Sequence, residues 1–259
     1  MTQTAAALSV MRNRAAVAQE LRRLLPQMEG FSVAQTLPLG LSAIDRCLPQ
    51  GGLSGGALHE IVPEEGNAAV AFGFLVALLA HLPRVHPFFL VVPAYGFREY
   101  GRPYGHGCQN LGLDPARLIL VETTHRNETL WALEEALRSG APAAVAGVID
   151  RLDLKLSQRL HLAAMEAGVP LFVLRQAQFL ESSAAVTRWR VGPAPAARDR
   201  FGLFARTRWQ LRLERCRNGR AGEWIVEYDH VAHRFSLAAA LADPAYARRT
   251  SGESLRSAC

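Results

Sequence analysis

Lysine is almost missing from this chain: Lys155 is the single one among 29 basic residues, so arginine carries nearly all the positive charge. Cysteine is scarce too. Cys47, Cys108, Cys216 and Cys259 lie far apart with no Cys-x-x-Cys spacing, which excludes a zinc-finger arrangement and fits reduced thiols in a cytoplasmic protein. His81, His86, His106 and Cys108 match no standard ligand spacing, so no metal is expected. No apolar run approaches the ~20 residues that a membrane span requires. Arginines and glutamate interrupt the N-terminal apolar residues, unlike a secretory leader. The expectation is a soluble, cytoplasmic protein with no membrane partner.

What is present is enough apolar material for a full core, since 49% of the 259 residues are hydrophobic. Charge is unevenly placed. Through Leu174 there are 14 basic and 15 acidic residues, and from Arg175 onward 15 basic and 8 acidic, so the two parts carry −1 and +7. A positive field in the C-terminal third points to a polyanion or an acidic partner there.

Between Leu8 and Met28, Val10, Val17, Leu21, Leu24, Leu25 and Met28 recur at helical spacing with arginines on the other face, which predicts an amphipathic helix followed by a linker to residue 36. Apolar strands are expected at Ala57–Val62, Pro87–Pro93, Arg117–Glu122, Ala143–Asp150 and Val169–Leu174. Helical patterns at Thr129–Arg138 and Lys155–Ala167 separate the later ones. This alternation predicts an α/β fold with a mostly parallel sheet in a three-layer core spanning residues 37–187. In the segment 188–241, Trp209, Leu211 and Leu213 alternate with polar residues, as do Trp224, Val226 and Tyr228 beyond Asn218-Gly219. That pattern predicts a basic antiparallel hairpin, with a flexible tail after it over 242–259.

The strand Ala57–Val62 runs into Pro63-Glu64-Glu65-Gly66-Asn67 ahead of an apolar helix, which is the topology of a phosphate-cradling loop. The chemistry of such a loop is absent. No lysine stands at the phosphate-reaching position, Ala68 and Ala69 offer no hydroxyl for magnesium, and Glu64 and Glu65 would repel phosphate oxygens. Two readings stay open: the carboxylates complement the positive end of a helix, or backbone amides alone retain a residual nucleotide site. Asp150, at the end of its strand, stands either where a magnesium-holding aspartate belongs or as an ordinary cap. No catalytic residue and no bound cofactor are expected.

Arg188, Trp189, Arg190, Arg206, Arg208, Arg212, Arg215, Arg217 and Arg220 are the candidate nucleic-acid or partner surface, arginine serving phosphates and tryptophan serving bases. Cross-strand pairing, for instance of Arg212 with Glu227, is the structural alternative. The loop Tyr95–Tyr104 lies just past an apolar strand, where α/β proteins bind ligands or partners, and its own ring packing is the other reading.

Leu37-Pro-Leu-Gly-Leu-Ser-Ala-Ile-Asp45, with Gly51-Gly-Leu-Ser-Gly-Gly56, resembles the entry to the core of RecA-like proteins. Asn110-Leu-Gly-Leu-Asp-Pro-Ala-Arg-Leu-Ile-Leu120 and Val148-Ile-Asp150 look like later segments of that fold. Together with Arg188-Trp-Arg-Val191, Phe201-Gly-Leu-Phe204, Arg208-Trp-Gln-Leu-Arg-Leu-Glu-Arg215 and Asn218-Gly-Arg-Ala-Gly-Glu-Trp224, these motifs are similar to the ImuA family. The resemblance implies a RecA-like accessory factor of error-prone translesion DNA synthesis in the SOS response. It also implies as partners the Y-family-like polymerase homologue ImuB and an error-prone replicative-type polymerase, with DNA as a further candidate. A SulA-like cell-division inhibitor and a divergent DNA-stimulated ATPase are the alternatives.

Overall fold

The computed structural model describes residues 35–83, 86–94, 102–175, 181–198, 201 and 203–238. The expected helix Leu8–Met28, the tail 242–259 and residues 95–101 of the aromatic loop lie outside the described residues.

Thr36–Leu37 (β1) pairs antiparallel with Leu53–Ser54 (β2), and the short helix Ser42–Asp45 (α1) lies between them. Leu58–Pro63 (β3) leads into helix Ala68–His81 (α2). Phe88–Pro93 (β4), helix Gly105–Asn110 (α3), Leu118–Thr123 (β5), helix Arg126–Arg138 (α4), Ala144–Ile149 (β6), helix Leu154–Ala167 (α5) and Leu171–Arg175 (β7) follow in turn. The chain continues with Thr187–Pro193 (β8), Ala197–Arg198 (β9), Phe204–Cys216 (β10), Gly222–Asp229 (β11) and Arg234–Leu237 (β12).

Among the described residues ten strands form one sheet in the order β12-β11-β10-β8-β3-β7-β6-β4-β5, with β9 paired to the start of β10. Every pair from β8 to β5 is parallel. The strands beyond β8 are antiparallel. The α/β architecture expected from the sequence is present, with the C-terminal hairpin strands extending the same sheet. All residues of β3, β6 and β7 are buried, the consequence of helices on both faces of a parallel sheet.

One face packs α2 against Ile61, Leu90, Phe172, Trp189, Trp209, Leu211 and Tyr228. The other packs α4 and α5 against Leu58, Val91, Val145, Leu171 and Val173. Local chemistry marks the helix starts. Glu128 accepts from the Thr124 amide at 2.8 Å ahead of α4, and Asp153 accepts from the Leu156 amide at 2.8 Å at the start of α5. Among the described residues no helix is long and apolar enough to cross a membrane.

Two expectations need correction. Arg212 stands opposite Glu223, not Glu227, and Arg208 faces Glu227. The turn around Asn218, whose φ is 61°, fixes this register. Trp189 does not share an exposed surface with the arginines: it is 3% exposed and part of the core on the α2 face. Alternation along β8 sends Arg188 and Arg190 to one side of the sheet and Trp189 to the other.

Candidate functional site

The segment between β3 and α2 is a four-residue turn. Pro63 pairs in register with Val191 of β8, and the Glu64 amide continues that ladder by donating to the Val191 carbonyl at 2.8 Å. The Asn67 amide then closes the turn on the Glu64 carbonyl at 2.9 Å, and the Asn67 side-chain amide donates to the Glu65 carbonyl at 3.0 Å. Gly66 takes φ +73°, the left-handed geometry that the reversal requires. Two backbone amides of a potential anion cradle are therefore already bonded within the protein.

Glu64 points away from the turn and lies over Gly192 of β8. A β-carbon at position 192 would sit 2.3 Å from the Glu64 carboxyl carbon, so any other residue there would displace the end of the Glu64 side chain. There the carboxylate joins a charged sheet face. Arg212 is held more firmly protonated chiefly by its hydrogen bonds to Glu223, with smaller contributions from Glu214 and Glu64.

Asp150 follows β6, and β7 separates β6 from β3. Two inter-strand steps put it about 10 Å from the turn. Burial raises the pKa of its carboxyl against the opposing pull of Arg151. Its Oδ1 is buried and meets no hydrogen-bond partner.

The candidate arginines fall into three groups. Arg190, Arg206, Arg208 and Arg212 share one face of the β8-β10-β11 ribbon, Arg206 and Arg212 open to solvent and Arg208 nearly buried, and Glu214, Glu223, Glu227 and Asp229 pair with them. Arg188, Arg215 and Arg217 brace the segment that precedes β8. Arg188 donates to Ser183 Oγ, Arg215 to the Ser183 carbonyl and Arg217 to the Ala184 carbonyl. Arg220 is exposed, and its backbone amide donates to the Cys47 carbonyl at 2.9 Å.

Two buried polar clusters escaped the sequence reading. Glu60, in the middle of β3, accepts from Arg175 Nη1 at 2.8 Å and from Arg188 Nε at 2.7 Å, with the side chains of Glu60 and Arg175 fully closed to solvent. Its neighbour His59 faces the other side, stacked on Phe172. His59 Nε2 meets the Ser54 carbonyl at 2.9 Å, and a carbonyl can only accept. Nε2 therefore carries the proton, Nδ1 accepts from the Thr187 hydroxyl at 2.8 Å, and that hydroxyl accepts from the Trp189 indole at 3.0 Å. Burial, with no counter-charge beside the ring, pushes the His59 pKa down to about 4. The available signal was the adjacent polar pair His59-Glu60 inside an otherwise apolar strand.

A cleft of ≈ 580 Å³ opens beside the first turns of α2, lined by Ala69, Gly73, Pro193, Arg206, Trp209 and His230 among others. His230 binds the Thr207 hydroxyl at 2.9 Å on its rim. The pairing of Arg206 with Glu227 and Asp229 offsets much of the positive charge there.

No family profile matches the chain. Similarity to individual proteins is clear, however. The chain is 34% identical over 225 residues to Protein ImuA of Caulobacter vibrioides strain NA1000 / CB15N, a match covering 80% of this chain and 90% of that protein. The same figures hold for Protein ImuA of Caulobacter vibrioides strain ATCC 19089 / CIP 103742 / CB 15. With near full-length coverage at this identity, the chain belongs to the ImuA family.

Proposed function

We propose that this protein is a non-catalytic accessory factor of SOS-induced, error-prone translesion DNA synthesis in the cytoplasm, working by holding protein partners. The partners are the Y-family-like polymerase homologue ImuB and the error-prone replicative-type polymerase. One observation carries the non-catalytic part. The turn after β3 is closed by its own hydrogen bond, the Glu64 amide is tied to β8, and the sole lysine lies on α5. A phosphoryl-transfer site needs a cation and free amides at that place.

The arginine face supports a protein rather than a polyanion as its occupant. Four of its guanidiniums meet carboxylates of the same sheet, so little uncompensated positive charge is left for phosphates.

The test joins two measurements. Purified protein with ATP, magnesium and single-stranded DNA should release no phosphate above a protein-free control, and Asp150→Ala should change nothing. Affinity capture after DNA damage should retrieve the ImuB homologue and the polymerase. DNA-stimulated hydrolysis lost in Asp150→Ala would replace the scaffold with an ATPase, and capture of the tubulin-like division protein instead would favour a division inhibitor.

A further inference from the structure

The α1 segment and the β10-β11 turn meet at two thiols. Cys47 lies just past α1 and Cys216 ends β10; both are free, both pack at the edge of the α2-side core, and both keep partial access to solvent. Cys216 Sγ is 3.9 Å from the Cys47 carbonyl oxygen. That contact puts the Cys47 α-carbon within about 6 Å of the Cys216 sulfur, and a disulfide joins α-carbons about 4.4–6.8 Å apart. Gly219 lies against both residues, and a β-carbon there would collide with the Cys216 sulfur and the Cys47 carbonyl oxygen. Glycine thus keeps their approach clear of a third side chain. Cys47 Sγ faces the Ala43 carbonyl at 3.5 Å, and a thiol is a weak donor, so turning its side chain toward Cys216 sacrifices little.

We propose that Cys47 and Cys216 are a redox-sensitive pair, which a peroxide converts into a disulfide that staples the β10-β11 turn to the α1 segment. The chemistry balances in two steps. The Cys47 thiolate attacks one peroxide oxygen, so that an S–O bond forms, the O–O bond breaks, and the leaving hydroxide takes up the thiol proton as water. The Cys216 sulfur then attacks the sulfenyl sulfur; the S–S bond forms, the S–O bond breaks, and a second water leaves. The two thiols give up two electrons and two protons, and the peroxide becomes two waters.

Environment sets the order of attack. Burial, and after it the nearby charge of Cys47, raises the Cys216 pKa, so this thiol acts second. Cys108 on α3 is buried, and burial raises its pKa too, which keeps it out of the reaction. The bridge acts on a defined place. The Arg220 amide already donates to the Cys47 carbonyl at 2.9 Å, and the Gly219 amide closes the turn on the Cys216 carbonyl at 3.3 Å. A covalent link between positions 169 apart makes this approach permanent. The turn that carries Arg217 and Arg220 can then no longer part from the α1 segment.

The experiment treats the reduced full chain with a small excess of hydrogen peroxide, then maps its peptides by mass spectrometry without reductant. The expected product is one peptide pair joined through Cys47 and Cys216 in about half of the chains or more, and dithiothreitol should restore both thiols. In the bridged form the Gly219 and Arg220 amides should exchange about threefold more slowly, and the thermal midpoint should rise by about 5 °C. Reduced and oxidised protein share one sequence, so this comparison does not depend on a variant folding; Cys47→Ser, as a control, should show neither change. Sulfinic acid at Cys47 with no link, or a link from either cysteine to Cys108 or Cys259 in its place, overturns the proposal. A Cys47–Cys216 bridge that leaves exchange of the two amides unaltered overturns the staple.

Discussion

Arg208 lies directly opposite Glu227 across β10 and β11, its Nε 2.8 Å from the carboxylate, with only 9% and 11% of the two side chains open to solvent. An arginine that the sequence offered as a surface contact is thus one half of a nearly buried ion pair. Replacing it with alanine leaves the nearly buried Glu227 with only the longer 3.3 Å contact to Arg206, which costs up to about 3 kcal/mol. Arg212 and Glu223 form an equivalent cross-strand pair with about half of each side chain open to solvent (49% and 47%), where such pairs contribute little. Urea unfolding should show a large loss of midpoint for Arg208→Ala and almost none for Arg212→Ala. Equal losses would mean that the two pairs do not differ in environment. Partner-binding tests should accordingly use Arg212 and Arg220, leaving Arg208 intact.

Acid should weaken the fold through His59. Its folded pKa, about 4, lies below the usual 6.5, so between these values the unfolded chain binds the proton more readily. Stability from this group is complete above pH 6.5 and is lost as pH falls toward 4, by about 3 kcal/mol in all. His161, also lowered by burial, acts in the same direction. His59→Gln should flatten the dependence of unfolding free energy on pH across this window. An unchanged slope would place the titration elsewhere.

Asp150 has the opposite sign. Its raised pKa means that the folded chain holds the proton more tightly than the unfolded one, so the group disfavours folding once pH exceeds both values. Asp150→Asn should therefore raise the melting temperature at neutral pH, with the gain shrinking as the buffer is acidified. A lower melting temperature at pH 7 would show that the charged form is held by an interaction the buried Oδ1 does not reveal.

At Gly219, a β-carbon would stand 2.3 Å from Cys216 Sγ and 2.5 Å from the Cys47 carbonyl oxygen. Gly219→Ala must push the β10-β11 turn off the α1 segment and loosen the Arg220 amide bond to Cys47. The expected cost is about 1–3 kcal/mol. Hydrogen exchange should show the Arg220 amide losing protection ahead of the β10 amides, and a wild-type midpoint would refute the close approach.

Periodicity carried much of this architecture. Strict alternation from Arg208 to Glu214 placed Trp209, Leu211 and Leu213 in the core, and the apolar runs of β3, β4, β6 and β7 could only be buried strands. Register was harder to read. Whether Arg212 meets Glu223 or Glu227 depends on how many residues the turn at Asn218 takes up, and alternation is blind to that count. Trp189 shows the same limit: its neighbours suggested a surface, yet it alternates onto the side of β8 that packs in the α2 core. The triad joins Glu60 to Arg175 and Arg188, each more than a hundred positions away, so the polar pair His59-Glu60 marks the strand without naming the partners.

The strand that carries Glu60 has β7 on one flank and β8 on the other, and β8 comes from the basic C-terminal third. A nascent chain therefore cannot complete its central sheet until residues past Pro193 have been made. Until then β3 presents a bare row of amides and carbonyls, an invitation to pair with any strand nearby. Ending translation before Thr187 should give insoluble material rather than a smaller working protein.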